Sequence, residues 1–183
     1  MSFQVDLNCD MGESFGAYSI GNDEEVIHHI TSANIACGYH AGDPLVMRRT
    51  VRTALASAVS LGAHPAYPDL QGFGRRRMEV TGEELAAMLM YQTGALMAIA
   101  QSEGGRVTHV KPHGALSNVA CGNPEVAQTI AHAVRQLDPA LILLAPAASC
   151  LAQAGTEAGL RVALEIFADR VYQDDGQLAP RRL

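Results

Sequence analysis

Six short apolar runs alternate with segments of helical period along this 183-residue chain, and no hairpin turn joins one run to the next. Strands connected in this way pair parallel, each returning to the sheet over a helical crossover. The runs are Phe3–Cys9, Ser32–Cys37, Val59–His64, Arg106–Lys111, Leu141–Ala145 and Arg161–Ile166. Helical segments fall at Asp23–Ile30, from Pro44 to about Ser57, from Thr81 to Gly104-Gly105, after Asn123, and near Ala147–Ala158. A loop rich in Pro, Gly and Arg spans Pro65–Val80, and Phe167–Leu183 reads as irregular. The fold class is therefore α/β, a parallel sheet with helices packed on it. The sheet can close as a (β/α) barrel or stay open and doubly wound. No G-x-G-x-x-G follows the first run, which weakens the dinucleotide-binding form of the open sheet.

Three helix starts are marked chemically. Asp43-Pro44 and Asn123-Pro124 each place a capping side chain before a proline at the first helical position. Thr81 and Glu84 have the T-x-x-E spacing of a capping box. In the helix that follows, Leu85, Met88, Leu89, Gln92, Leu96 and Ile99 share one face, and Gln92 alone is polar.

A strand covered on both sides by helices should be apolar on both faces. Several of these are not. Side chains alternate along a strand, so Asp6, Asn8 and Asp10 oppose Val5, Leu7 and Cys9. His109, Lys111 and His113 share a parity in and beyond the fourth run. Asn34 and His40 share one around the second, His64 closes the third, and Glu165 opposes Val162, Leu164 and Ile166 in the sixth. Burying ionisable groups without partners costs several kcal/mol. Five strands that each offer a polar group to one side point to a site at the C-terminal ends of the strands.

Lys111 is the only lysine in the chain and lies inside a strand. It reads either as an ion-pair partner of Asp6 or Glu165, or as a cation for a substrate carboxylate or an oxyanion. His40, His64, His113 and Asp10 are the ingredients of a divalent transition-metal site, although no H-x-x-x-H or H-E-x-x-H spacing supports one. The triplet Arg75-Arg76-Arg77 is a solvated loop or a clamp for phosphate or carboxylate.

The net charge of -6, spread without long runs, gives no footprint for nucleic acid or an anionic membrane. No apolar run reaches the roughly 18 residues of a membrane span, and the first residues lack a secretory pattern. Four cysteines without a C-x-x-C pair read as reduced thiols, so a cytoplasmic location is expected. There is no G-x-x-x-x-G-K-[ST] loop, so any nucleotide bound here is not held by a P-loop.

The strand-end residues sit in long motifs. They are Asp6-Leu-Asn-Cys-Asp-Met-Gly-Glu-Ser-Phe-Gly16, Thr31-Ser-Ala-Asn-Ile-Ala-Cys-Gly-Tyr-His-Ala-Gly-Asp-Pro44, Gly62-Ala-His-Pro-Ala-Tyr-Pro-Asp-Leu-Gln-Gly-Phe-Gly-Arg75, His109-Val-Lys-Pro-His-Gly-Ala-Leu116 and Phe167-Ala-Asp-Arg170. In these the sequence resembles the LamB/YcsF family, which contains the A component of 5-oxoprolinase. The resemblance implies a barrel of the glycoside hydrolase/deacetylase type. It also implies one component of an ATP-dependent enzyme that opens 5-oxo-L-proline to L-glutamate, together with 5-oxoprolinase subunits B and C. It maps functional positions onto Asp10, His40, His64, Lys111, His113 and Asp169. The chain departs from the family pattern at Ala66, where Gly is usual and a positive φ would be disturbed, and at Ser117, where Tyr is usual. It ends at Leu183, although a barrel of this type takes about 250 residues. The expectation is thus a single domain over residues 1–183 that lacks one or more C-terminal β-α units.

On this reading Asp10, His64, Lys111 and His113 carry catalysis: Asp10 or His64 as general base, Lys111 and His113 against developing negative charge. Asn8, Asn34, His40, Arg75, Glu165 and Asp169 surround the substrate. ATP is required, with no site located in this chain, and a divalent metal is an open possibility. Two other readings stand beside it: a metal-dependent amide hydrolase or deacetylase that works without ATP, and a non-catalytic lactam-binding subunit.

Overall fold

The computed structural model describes residues 5–168, 170–174 and 179. Six strands form one parallel sheet in the order β1-β2-β3-β4-β5-β6, so each strand lies beside its neighbour in sequence. They are β1 Asn8–Met11, β2 Ser32–Ala36, β3 Ser60–His64, β4 Val107–Val110, β5 Ile142–Pro146 and β6 Arg161–Glu165. Between them lie α1 Asp23–Val26, α2 Pro44–Ala56, α3 Gly82–Ser102, α4 Gly114–Gly122, α5 Pro124–Leu137 and α6 Cys150–Glu157. A short 3₁₀ turn, Ile27–His29, extends α1. The expected α/β barrel class holds, as a curled half-barrel of six strands with alternating helices.

The caps do what their spacing implies. The Asp43 carboxylate accepts from the backbone N–H groups of Leu45 and Val46, and Asn123 accepts from Glu125 and Val126. Thr81 and Glu84 close both halves of the capping box on α3. Leu85, Leu89 and Leu96 bury the apolar face of α3. The odd polar residue on that face, Gln92, is fully buried and clamps a loop. Its Oε1 accepts from the Ala66 N–H at 2.9 Å and its Nε2 donates to the Ala66 carbonyl at 3.0 Å. Ala66 is not among the residues with positive φ, so alanine fits this turn without strain and the expected disturbance does not arise.

Two elements differ from expectation. The first strand starts at Asn8, because its partner β2 starts at Ser32, opposite Asn8; Val5–Leu7 lie outside it, and Phe3 and Gln4 fall outside the described residues. Before that point the Leu7 carbonyl accepts from the N–H groups of Thr31 and Ser32, and side chains add to the tie. Asp6 accepts from the hydroxyls of Thr31 and Ser32, and Leu7 N–H donates to Thr31. Helix α4 was not foreseen. It is nine residues long, and its buried Ala115, Leu116 and Ala120 give too short a pattern to tell from a loop.

The sheet is strongly curled. In a flat sheet with strands about 4.8 Å apart, β4 would lie about 14 Å from β1 and about 10 Å from β6. Lys111, directly after β4, nevertheless places Nζ 3.0 Å from Asn8 of β1 and 2.7 Å from Glu165 of β6. The concave face therefore gathers polar groups from strands that are not neighbours.

Candidate functional site

A row of residues in register crosses the concave face: Asp10 pairs with Asn34, Asn34 with Gly62, and Gly62 with His109. Gly62 is required for space. A Cβ there would lie 1.9 Å from the His109 ring, which passes over it so that Nε2 meets Asn34 Oδ1 at 2.9 Å. The Asn34 amide in turn donates to Asn8 at 2.7 Å and to Asp10 at 3.0 Å. Burial pushes the His109 pKa down to about 4, so this ring is neutral.

Lys111 is the hub of the charged network. Nζ contacts Asn8 at 3.0 Å, Asp10 at 3.2 Å and Glu165 at 2.7 Å. Burial opposes its charge, but the two carboxylates outweigh burial and raise its pKa, so it remains a cation. An ammonium has three N–H donors, and here protein oxygens occupy all three. Asp10 also meets His64 Nε2 at 3.2 Å. Burial raises the Asp10 pKa, but His64, Lys111 and the Asn34 amide together hold it well below the usual carboxylate range. Its side chain remains 37% exposed, an ionised carboxylate at the open mouth.

Beside this network lie three buried imidazoles. His64 and His113 approach at 3.0 Å, Nε2 to Nδ1. His40 stacks on His113 with ring centroids 3.8 Å apart, and Phe73 meets both rings edge-on. Glu13, in the turn after β1, brings Oε1 within 3.4 Å of His40 Nε2 and 4.0 Å of His113 Nδ1. Burial and the neighbouring His64 push both His40 and His113 down to about 3, so both are neutral at ordinary pH. The loop Phe73–Gly74 closes over the pair in left-handed backbone, φ 55° and 64°. A Cβ at Gly74 would lie 2.8 Å from His113 and from His40. Glu13, His40, His64 and His113 offer ligand atoms that all lie within 4.8 Å of one another, a cluster with the composition and spacing to hold a metal ion.

Asn8, Asp10, Asn34, His40, His64, Lys111, His113 and Glu165 thus come together. Arg75 lies at the exposed rim, its guanidinium 5.6 Å from the Phe73 ring centre. Its neighbours in the triplet are engaged elsewhere, Arg76 with the buried Asp69 and Arg77 with Glu79. Asp169 lies outside the described residues. Two expectations need correction. Asp6 is not a partner of Lys111, because it is held by Thr31 and Ser32. In the metal-capable cluster the carboxylate is Glu13, where sequence reasoning named Asp10. Glu13 and Phe73 were missed. Both lie in the long motifs, Glu13 three residues beyond Asp10, but outside any strand where alternation could have singled them out.

A model of the LamB/YcsF family matches residues 5–183. The chain belongs to the LamB/YcsF family. It is 63% identical over 178 residues to the A component of 5-oxoprolinase from Azoarcus sp. (strain BH72), covering 97% of this chain and 70% of that protein. It is 56% identical over 177 residues to the corresponding 5-oxoprolinase component of Brevibacillus brevis, again covering 97% and 70%. This LamB/YcsF chain also matches the crystal structure of a lactam utilization protein from Thermus thermophilus. The TM-score is 0.94 at 49% identity, over 98% of this chain and 72% of that one. A carboxyl transferase domain of Rhizobium etli pyruvate carboxylase shares the fold alone, at 13% identity and a TM-score of 0.54.

Proposed function

We propose that this chain is the lactam-hydrolysing component of an ATP-dependent 5-oxoprolinase. It would convert 5-oxo-L-proline to L-glutamate in a complex with subunits B and C, and would work in the cytoplasm. The names of its relatives supply the substrate class. The observation that carries the chemistry is the ionised, partly exposed Asp10 fixed between His64 and Lys111 at the mouth of the sheet.

A five-membered lactam resists hydrolysis because its amide is resonance-stabilised and its ring recloses readily. Transfer of the ATP γ-phosphoryl group to the amide oxygen would leave an electrophilic ring carbon. Water adds there, the tetrahedral intermediate expels the ring nitrogen so that the C–N bond opens, and the γ-glutamyl phosphate so formed takes a second water to release phosphate and L-glutamate. In this scheme Asp10 orients the water and accepts its proton. Lys111 holds Asp10 in place through charge and hydrogen bonding. With its three donors occupied it does not also reach the oxyanion, and neither does His113, whose Nε2 is bound to the Phe73 carbonyl. Arg75, free of acidic partners among the described residues, is placed to meet the substrate carboxylate or the phosphate. The scheme assigns ATP to the assembled complex and gives this chain no nucleotide site.

The test is glutamate release from 5-oxoproline by the three proteins together, with ATP present and absent and with this chain present and omitted. The reading requires both ATP and this chain. Release without ATP would favour the metal-dependent amide hydrolase. Full turnover by a complex whose copy of this chain carries Asp10→Asn would favour a non-catalytic binding role.

A further inference from the structure

The backbone fixes the tautomers of two histidines. His64 Nδ1 lies 2.6 Å from the Lys111 carbonyl, and His113 Nε2 lies 2.9 Å from the Phe73 carbonyl. A carbonyl can only accept, so each of these nitrogens carries a proton and donates. The remaining nitrogens, His64 Nε2 and His113 Nδ1, face each other at 3.0 Å, and Asp10 Oδ2 lies 3.2 Å from the same His64 Nε2. Acceptor atoms gathered this closely repel unless a cation, a metal ion or a proton, lies among them. A ligating histidine whose other N–H is held by a carbonyl is the arrangement by which proteins orient imidazoles on metals.

The surroundings fit the same occupant. Glu13 Oε1 is 4.0 Å from His113 Nδ1 and 3.4 Å from His40 Nε2. Nitrogen and oxygen ligands about 2.1 Å from a tetrahedral ion stand about 3.4 Å apart. Separations that begin at 3.0 Å and stay within 4.8 Å therefore need only small shifts. His40 is fully buried, and its Nδ1 has no partner among the described residues. The ring is held by stacking on His113 and by edge contacts with His64 and Phe73, so its Nε2 is kept facing Glu13.

We propose that Glu13, His40, His64 and His113 bind one divalent transition-metal ion of the zinc type at the mouth of the sheet. Imidazole nitrogens with a single carboxylate suit zinc and its first-row neighbours, whereas magnesium and calcium take oxygen ligands. The inference goes beyond the lactam reading and does not depend on it, because metal binding is measured without turnover.

The experiment uses the 183-residue chain, stripped with EDTA and dialysed. Zinc, magnesium and calcium are titrated separately by calorimetry, and metal content after gel filtration is read by mass spectrometry. The expected result is one equivalent of zinc, a higher melting temperature with zinc, and little response to magnesium or calcium. Glu13→Gln and His113→Gln should each weaken zinc binding at least about 10–100-fold. The control, His132→Gln on the exposed face of α5, should leave it unchanged. Circular dichroism of the metal-free variants confirms that they fold, and Glu13, in a turn, serves if His113→Gln does not. Absence of stoichiometric zinc in the folded wild-type chain would overturn the proposal and leave a proton shared by His64 and His113. So would zinc affinity unchanged in folded Glu13→Gln, or magnesium bound as tightly as zinc.

Discussion

Replacing Lys111 with Met keeps most of the aliphatic stem and removes the charge that three strands share. Glu165 is then the critical loss. Its side chain is 6% exposed, and Lys111 is its only side-chain hydrogen-bond partner among the described residues. Asp10 is better placed, because it keeps Asn34 and His64 and is 37% exposed. Breaking a buried ion pair from one side costs about 3–5 kcal/mol. For a chain of this size each kcal/mol lowers Tm by about 2–4 °C, so Lys111→Met should melt about 6–20 °C below wild type. Adding Glu165→Gln removes the stranded charge and should recover much of that loss, yet turnover should remain low because Asp10 has still lost its cation. Differential scanning calorimetry and glutamate release by the complete complex, on the same preparations, separate the two effects. A single variant that melts within about 2 °C of wild type would refute the stranded-charge reasoning. A double variant with normal turnover would remove Lys111 from the chemistry.

Asp10→Asn should lower turnover about 10²–10⁴-fold with little change in 5-oxoproline affinity, since the amide keeps the size but not the basicity; steady-state kinetics beside calorimetric binding checks this, and a kcat within about twofold of wild type counts against it. Gly62→Ala should expel the His109 ring, sever its bond to Asn34 and destabilise the fold by about 1–3 kcal/mol or more, read as a lower urea midpoint. Thr81→Ala should cost about 0.5–2 kcal/mol through loss of the capping box, with turnover per folded molecule unchanged.

The parts of this molecule that were legible in its sequence follow rules of short range. Asp43-Pro44, Asn123-Pro124 and Thr81 with Glu84 announced helix starts because a cap needs only neighbours within three residues. Alternation placed Asp10, Asn34, His109 and Glu165 on one face because it follows from the pleat. What stayed hidden depends on contacts far along the chain. Glu165 was among the partners expected for Lys111, but nothing near Lys111 reveals that Asn8 and Asp10 occupy its other two donors. Glu13 joins the histidines through a turn after β1, where periodicity carries no information. The late start of β1 was set by its partner strand, and the role of Gln92 by the Ala66 backbone it clamps.

The curl that lets one ammonium touch both outer strands also decides how competence is lost. The ladder joins sequence neighbours throughout, so its middle can persist while an outer strand lets go. The partners of Lys111 lie 103, 101 and 54 positions away, on β1 and β6. Fraying of β1 alone withdraws Asn8 and Asp10, and fraying of β6 alone withdraws Glu165, while α3 and α5 stay packed against each other. Loss of this network is then expected as a sub-global event, governed by the opening free energy of the outermost described ladder rather than by global stability. Amide exchange across Asn8–Met11 reports that opening directly, well before helical ellipticity falls.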